Sequence, residues 1–311
     1  MKKFAIGADI GGSHISCAVI DMEKESIIPG SISLVEVNNQ ASADEILNNW
    51  VRALENSISN IRIEQLFGIG FAMPGPFDYE KGIALFERVA KYESLYNVNV
   101  AKYITETLGL KKDIHIRFMN DATSFAVGEA WIGKAAGYKK SISITLGTGF
   151  GSAFIESGLP VLERNDVPVM GCVWHLPYKD GIADEYFSTR WFIKRFVEKT
   201  GNVLTGVKEI AEQAIIGNTE AKNLFKEFGQ NLAEFLGPWI KKFETEILVI
   251  GGNMAGAYNV FGSTFKSTLE NQDINITICL SELKEDAAII GSAKLLDEKF
   301  WIKIKPLLSK M

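Results

Sequence analysis

Ser141-Ile-Ser-Ile-Thr-Leu-Gly-Thr-Gly-Phe-Gly-Ser-Ala-Phe-Ile-Glu156 is the stretch that decides the fold. Up to Leu146, apolar residues alternate with small polar residues, which is the period of a half-buried β-strand. The turn that follows contains Gly147, Gly149 and Gly151, and a second apolar strand comes after it. Residues without a Cβ let backbone N–H groups approach an anion closely. The stretch therefore predicts a β-hairpin whose turn can hold a phosphate group.

A hairpin of the same kind begins the chain. Residues 4–10 and 14–21 are apolar strands joined by Gly11-Gly12-Ser13, and Asp9 lies inside the first strand. One interpretation is a phosphate-binding turn with Asp9 holding a hydrated magnesium ion beside it. The alternative is a tight hairpin with an incidental acid. A carboxylate is costly to bury without a partner, which favours the functional interpretation.

Length, charge and cysteine content limit the class of protein. The chain has 311 residues, a net charge of −5 and three widely spaced cysteines. The length favours two domains, and the acidic charge argues against nucleic acid or an anionic membrane surface as a partner. The cysteine pattern fits a reducing compartment. Since no apolar run reaches the roughly 18 residues of a membrane helix, the predicted location is the cytoplasm.

The order of predicted elements gives the fold class. Strands and helices alternate along the first 120 residues, which is typical of an α/β protein. A helix is predicted from Ala43 to Asn60, with Ser42 as its N-cap because Glu45 follows at the capping-box spacing. The predicted domains are 1–118 and 119–284, with a C-terminal helix at about 285–311 packing back on the first.

Asn120-Asp121 directly follows a predicted strand. Open α/β sheets bind ligands at the carboxyl ends of their strands, and a carboxylate there can accept the proton of a hydroxyl that attacks a phosphoryl group. The alternative is a helix N-cap, since both residue types are favoured at that position.

The two remaining glycine motifs also allow a functional and a structural interpretation. The turn at Gly147-Thr148-Gly149 is neither a Walker A loop nor a dinucleotide fingerprint, and by itself it is also compatible with an ordinary glycine-rich hairpin. Gly251-Gly252 ends a predicted strand and precedes a predicted helix. Its backbone either supports the flat face of an adenosine or forms a common strand-to-helix turn.

The segment 157–185 is irregular and contains Gly171-Cys-Val-Trp-His175. The next cysteine is Cys279 and no histidine follows His175, so the spacing argues against a zinc site. His175 is open to two interpretations, a structural histidine and a substrate contact.

Taken together and in order, these motifs resemble the ROK family of sugar kinases, within the actin–hexokinase superfamily. The matching segments are Ala8–Ser13, Gly70–Pro76, Met119–Ala122 with Gly128-Glu129, Thr145–Gly151 and Gly251-Gly252. The resemblance covers nearly the whole chain. It implies an α/β, two-domain actin-like ATPase fold, related to ribonuclease H, with the active site in the cleft between the domains.

The same resemblance implies an ATP-dependent phosphorylation of a hexose or N-acetylhexosamine hydroxyl, with Mg²⁺ as cofactor and a homodimer as assembly. Asp121 would be the general base. Asp9 would hold magnesium through water. The implied ATP-binding residues are Asp9, Gly11, Gly12, Ser13, Gly147, Thr148, Gly149, Gly251 and Gly252, and the implied sugar-binding residues are Gly75, Asn120, Asp121, His175 and Asp184.

The chain departs from the family pattern around the sugar. The family has Gly-Glu-x-Gly-His where this chain has Cys172 and Trp174 in place of the glutamate and the second glycine. A thiol cannot accept two hydroxyl hydrogen bonds as a carboxylate does. Asp184 stands for a second sugar-contacting glutamate, with the adjacent Glu185 as the alternative register, and residues 176–182 contain none of the family's zinc-binding cysteines. We therefore expect no structural zinc, and the identity of the sugar stays open.

A non-catalytic, sugar-sensing regulator is the alternative function. Regulatory relatives of this family carry an N-terminal helix-turn-helix domain, for which a hairpin starting at Phe4 is expected to leave no room. The altered loop at 171–184 favours the regulator, whereas Asp9, Asp121 and the two glycine turns favour the kinase.

Overall fold

The computed structural model describes residues 2–311. Its strands are β1 Phe4–Ile10, β2 His14–Asp21, β3 Ser26–Ile27, β4 Ser33–Glu36, β5 Leu66–Met73, β6 Phe77–Asp78, β7 Ile83–Ala84, β8 His115–Asn120, β9 Lys140–Leu146, β10 Phe150–Glu156, β11 Leu159–Pro160, β12 Pro177–Tyr178, β13 Gly181–Ile182, β14 Ile247–Gly251 and β15 Thr277–Leu280. Its α-helices are α1 Ala43–Ile58, α2 Val100–Thr107, α3 Asp121–Trp131, α4 Ala183–Tyr186, α5 Thr189–Thr200, α6 Val207–Ile215, α7 Thr219–Phe243, α8 Tyr258–Glu270, α9 Asp286–Ala293 and α10 Glu298–Ile304.

The backbone divides into two compact units. The first holds the chain up to Gly133 together with Gly158–Pro160 and Glu285–Met311, and the second holds Lys134–Ser157 and Val161–Lys284. Compactness alone does not define an independently folding domain. The domain limits at residues 118 and 284 therefore remain a prediction.

The first unit is built on a mixed sheet in the order β3-β2-β1-β5-β8, with β4 paired to β2. Strands β1, β5 and β8 are parallel. Their carboxyl ends therefore lie at one edge of the sheet. In the strand register Asp9 lies beside Ala72, and Met73 lies beside Asn120. This pairing brings three sequence motifs, far apart in the chain, to the same edge.

Helix α1 covers the sheet of the first unit and confirms the predicted N-cap. The Ser42 side chain accepts a hydrogen bond from the Glu45 N–H at 3.3 Å. The apolar positions Ile46, Trp50 and Leu54 are buried, because residues three or four apart share one helix face. The helix ends at Ile58, two residues earlier than the sequence predicted.

Helices α3 and α9 pack with their backbones in contact. A Cβ at Gly128 would overlap the carbonyl oxygen of Ala287, and a Cβ at Gly291 would overlap that of Ser124. Only glycine permits this approach. Helix α9 therefore packs directly on the first two turns of α3, which begins at Asp121.

The second unit has the strand order β10-β9-β14-β15. Strands β9, β14 and β15 are parallel, so the turn after β9 and the glycine pair that ends β14 lie at one edge of this sheet. The core between the sheet and the helices is rich in aromatic side chains, which include Phe150, Phe154, Phe187, Phe192, Phe225, Phe228 and Phe261.

The segment at residues 176–182, for which the sequence predicts no zinc site, contains a short hairpin formed by β12 and β13. Tyr178 packs its ring against Tyr186, Phe187 and Phe235 at centroid distances of 5.1, 5.2 and 5.3 Å. The Lys179 ammonium donates to the Asn231 side chain of α7 at 3.0 Å. Within residues 2–311, no group of three or more His, Cys, Asp or Glu side chains is arranged to hold a metal ion. Aromatic packing and this hydrogen bond order the hairpin.

Over the described part of the chain, none of the helices combines the length and the apolar character needed to cross a bilayer.

Substitution of Gly291 by alanine should destabilise the protein strongly. The added methyl group must push α9 away from α3, and overpacking of this kind costs about 3 kcal/mol of unfolding free energy. Gly256→Ala is the matched control, because no atom lies within 4 Å of a Cβ at Gly256. Urea denaturation of both variants measures the difference, and equal stability of the two would contradict the close contact.

Removal of metal should leave the fold intact. We expect 1,10-phenanthroline and EDTA to leave the thermal unfolding midpoint unchanged, because the β12–β13 hairpin is held by side-chain packing. Elemental analysis of the purified protein should find no stoichiometric zinc. A chelator-induced fall in Tm would contradict this account of the hairpin.

Candidate active site

The first unit carries a carboxylate cluster at the edge where β1 and β8 end. Asp9 is the penultimate residue of β1, and Asp121 begins α3 directly after β8. Burial raises the pKa of Asp9 to about 8, with smaller contributions from the negative charges of Asp121 and Glu285. Three acids therefore interact at one place. The sequence motifs indicated the first two and gave no signal for Glu285.

Asp121 is held in one orientation. Its Oδ1 accepts hydrogen bonds from the Ala122 N–H at 2.8 Å and from the Asn120 side-chain amide at 3.0 Å. Its Oδ2 has no hydrogen-bond donor among the described residues. One oxygen fixes the carboxylate while the other is left available to accept a proton.

Asn120 is both the N-cap of α3 and a partner of Asp121. Its Oδ1 accepts from the Thr123 N–H at 3.1 Å, which satisfies an N-terminal amide of the helix. Its Nδ2 contacts Asp121 and, at 3.4 Å, the hydroxyl of Tyr79. Asn120 is therefore the helix N-cap, as the structural interpretation predicted. Its side-chain NH₂ group nevertheless still faces the Asp121 carboxylate.

Gly75 lies close to this group. A Cβ at Gly75 would be 3.5 Å from the Tyr79 hydroxyl, the same hydroxyl that Asn120 contacts. The Tyr79 hydroxyl also donates to the carbonyl of Met73 at 3.1 Å. Two predicted sugar-binding residues, Gly75 and Asn120, thus share one buried tyrosine that the motifs did not indicate.

Gly11, Gly12 and Ser13 form what we call the first glycine turn. Its carbonyl groups face the protein: the Tyr92 hydroxyl donates to Gly11 O at 2.6 Å, and the Asn39 side chain donates to Gly12 O. The Gly12 and Ser13 N–H groups have no acceptor within residues 2–311. Since C=O and N–H point to opposite sides of a trans peptide, these amides face away from Tyr92 and Asn39.

Gly147–Gly151, the second glycine turn, lies in the second unit and has the same arrangement. The carbonyl of Gly147 accepts from the Thr189 N–H at 2.8 Å and from its hydroxyl at 3.0 Å. The Thr148 and Gly149 N–H groups have no acceptor in the described chain. In each turn an outside donor holds the first glycine carbonyl, and the following amide is left free.

Asp184 supports the second glycine turn. Its Oδ1 accepts from the Phe150 N–H at 2.7 Å, and its Oδ2 pairs with Arg190 at 2.5 Å. A Cβ at Gly149 would approach the same Oδ1 to 3.0 Å. Both carboxylate oxygens of Asp184 are therefore engaged beside the second glycine turn, and its contact with the sugar remains a prediction.

The glycine pair after β14 lies against the same turn. Gly252 has φ +80°, and a Cβ there would overlap the carbonyl of Leu146, the residue that precedes the second glycine turn. A 3-10 helix, Asn253–Ala257, comes before α8. The predicted helix therefore does not open directly at the glycine pair, because this tighter turn intervenes.

His175 and Cys172 form a neutral pair. Burial lowers the pKa of His175 and raises that of Cys172 to about 11. The Cys172 Sγ lies 3.8 Å from His175 Nδ1. Trp174, which is 42% exposed, packs its ring edgewise on the histidine at 5.4 Å. Burial therefore favours the neutral form of both side chains.

The geometry can be compared with known proteins. An N-acetyl-D-glucosamine kinase from Haemophilus influenzae is 25% identical over 80% of this chain and 84% of its own length. A glucokinase from Thermotoga maritima is 22% identical over 94% of this chain and 97% of its length. A glucokinase from Streptomyces griseus, solved in complex with glucose and AMPPNP, superposes with a TM-score of 0.75 at 20% identity, covering 95% of this chain and 99% of that one.

The structural similarity confirms the predicted fold class, the two-domain α/β fold of these kinases. The ROK family model matches residues 5–299, nearly the whole chain. The resemblance seen in the motifs is thereby confirmed, and the chain belongs to the ROK family.

Proposed function

We propose that this protein transfers the γ-phosphoryl group of ATP to a hydroxyl of a hexose or N-acetylhexosamine, with Asp121 as the general base. The curated relatives confirm the enzyme class predicted from the sequence, a sugar kinase. The observation that carries the finer proposal is the orientation of Asp121. Two donors hold its Oδ1, and its Oδ2 is left available for the proton of the attacking hydroxyl.

The sugar would bind beside Asp121 so that its hydroxyl donates to the free oxygen. Gly75 and Asn120 are the residues of the first unit proposed to contact it, and both adjoin the Tyr79 hydroxyl. As the sugar oxygen forms its bond to the γ-phosphorus atom, the bond from that phosphorus to the β,γ-bridging oxygen breaks, ADP leaves, and the proton of the sugar hydroxyl passes to Asp121. General-base help of this kind contributes about 10²- to 10⁴-fold to the rate.

The phosphates of ATP are proposed to bind the unpartnered amides of the two glycine turns. The Gly12 and Ser13 amides belong to one turn, and the Thr148 and Gly149 amides belong to the other. Preorganised N–H donors stabilise the charge that develops during phosphoryl transfer without having to reorient. The adenosine is proposed to lie on Gly251 and Gly252.

Asp9 is the residue proposed to hold a divalent cation, through water, since the described residues contain no group of three or more His, Cys, Asp or Glu side chains arranged to bind one directly. Burial and, to a smaller degree, the negative charges of Asp121 and Glu285 raise the pKa of Asp9, and a cation bound near Asp9 would favour its ionised form. Asp9 would hold Mg²⁺, through water, and the ion would neutralise charge on the phosphates. Carboxylate oxygens are ligands that Mg²⁺ prefers.

The identity of the sugar is proposed only as a class. The relatives named above are kinases of N-acetyl-D-glucosamine and of glucose. His175 and Asp184 are proposed as further sugar contacts in the second unit. The homodimer and the cytoplasmic location remain predictions. A catalytic role is favoured over the sugar-sensing alternative because Asp121 is oriented for proton transfer.

Replacement of Asp121 by asparagine should abolish phosphoryl transfer. An amide cannot accept the proton, so we expect kcat to fall by about 10²- to 10⁴-fold while the sugar dissociation constant changes little. ADP release is measured with glucose, fructose, mannose, allose, N-acetylglucosamine and N-acetylmannosamine, and sugar binding by calorimetry.

Asp113→Asn is the matched control for this experiment, because Asp113 is a surface residue that pairs with Lys2. It should retain full activity. Turnover by Asp121→Asn close to that of the unaltered chain would contradict the role of Asp121. Tight sugar binding by the unaltered chain without turnover on any of these sugars would favour the sensor.

Stability should fall as pH rises through the titration of Asp9. The pKa is about 8 in the folded protein and 3.8 in its ordinary environment. Between these values the folded state binds more protons than the unfolded state, so unfolding becomes more favourable with rising pH. Asp9→Asn removes this titration and should flatten the dependence of Tm on pH between 3.8 and about 8, the two pKa values of Asp9.

Added Mg²⁺ tests the same electrostatic cause. It should stabilise the unaltered protein more at pH 8 (the folded-state pKa of Asp9 is about 8) than in acid, because the ionised carboxylate binds the cation. The same pH dependence in the Asp9→Asn variant and in the unaltered protein would contradict the assignment.

A further inference from the structure

The hydroxyl of Tyr92 contacts the first glycine turn, a role that neither the sequence motifs nor the proposed reaction assigns to it. Its Oη lies 2.6 Å from the carbonyl oxygen of Gly11. The side chain is fully buried. The ring packs edgewise on Trp50 at 5.6 Å and against Phe86 at 5.8 Å. Packing on these rings therefore fixes the position of the hydroxyl.

The backbone of Tyr92 is held in an uncommon conformation. Its φ of +58° lies in the left-handed region, which bulky residues rarely adopt. The Tyr92 N–H donates to the carbonyl of Asn39 at 2.9 Å, and the Asn39 side chain in turn donates to Gly12 O. Tyr92 holds the carbonyl of Gly11 and Asn39 holds that of Gly12. A backbone hydrogen bond links Tyr92 to Asn39, so the two donors support each other.

The peptide plane transmits the effect of this contact. In a trans peptide the C=O of Gly11 and the N–H of Gly12 point in opposite directions. A donor fixed on the carbonyl therefore aims the amide toward the opposite side. Apart from the two neighbouring residues, no described atom lies within 4 Å of a Cβ at Gly12, so the turn is uncovered at this residue.

The Tyr92 hydroxyl remains a donor throughout the physiological range. Burial and, to a smaller degree, the negative charge of Asp9 raise the pKa of Tyr92 well above its ordinary value. The hydrogen bond to Gly11 therefore does not depend on pH under conditions where the protein is active.

We propose that Tyr92 is a positioning residue for the nucleotide: its hydroxyl orients the Gly11–Gly12 peptide so that the Gly12 N–H binds a phosphate oxygen. Tyr92 acts through the backbone and does not itself contact the substrate. This role rests on the proposed function of the first glycine turn as a phosphate site. It does not involve the sugar, so the effect of losing the hydroxyl is specific to the nucleotide.

Tyr92→Phe in the full chain tests the proposal. The variant keeps the buried ring and loses one hydrogen bond, so the dissociation constant of Mg-ADP and the KM for ATP should both rise by about threefold to tenfold. The sugar dissociation constant should stay within about twofold of that of the unaltered chain, because the sugar contacts are unchanged. Calorimetry gives the binding constants without requiring turnover.

Tyr103→Phe is the matched control, because its hydroxyl donates to the Asn48 side chain at 3.1 Å and has no contact with the turn. It should leave both affinities unchanged. Asn39→Ala is a second test, because it removes the side chain that donates to Gly12 O without altering the buried aromatic rings. It should also weaken nucleotide binding, and it keeps the proposal testable if Tyr92→Phe does not fold.

Unchanged nucleotide affinity in the folded variants, or parallel losses of nucleotide and sugar affinity, would overturn the positioning role. These outcomes are distinct from failure of the proposed reaction. An unaltered chain that binds Mg-ADP but phosphorylates no sugar contradicts the kinase proposal and leaves the positioning test valid, whereas an unaltered chain that binds no nucleotide overturns both.

Discussion

The first unit depends on one packing constraint, the direct contact of helix α9 with the backbone of three neighbouring elements. Glycines make this contact possible on each of them: Gly7 of β1 lies under the carbonyl of Ile289, Gly70 of β5 lies under that of Ser292, and Gly128 of α3 lies under that of Ala287. Side chains at these positions would separate the layers. Because α9 packs directly on β1 and α3, the carboxyl end of β1 lies near the first residues of α3 and of α9.

This convergence has an electrostatic consequence. Asp9, Asp121 and Glu285 each lie at one of the three ends, so the packing that stabilises the unit also brings like charges together. The raised pKa of Asp9 is the result of this arrangement and of burial. Such a cluster costs stability in the free protein and becomes favourable when a cation binds near it. The close packing of α9 is therefore the cause of this placement of the three acids.

The sequence was sufficient for those features that local pattern controls. Alternating apolar residues and glycines predicted both hairpins, the Ser42 cap predicted the start of α1, and the order of motifs predicted the family. It could not reveal Tyr92, Tyr79 or Glu285, because each acts through contacts between segments far apart in the chain and belongs to no local motif. Asp184 illustrates the same limit: its residue type is compatible with a sugar contact, and only the fold brings it to the Phe150 amide.

The two hydroxyls that the sequence did not indicate lie at the ends of one series of aromatic rings. Tyr79 packs on Phe77 at 5.5 Å, Phe77 on Phe86 at 6.3 Å and Phe86 on Tyr92 at 5.8 Å. The first hydroxyl contacts Asn120 and the last holds Gly11. Closely packed rings resist independent displacement. The proposed sugar side and the proposed phosphate side of the first unit are therefore supported by one buried aromatic cluster, so the rigidity that fixes the Asn120 amide also fixes the first glycine turn.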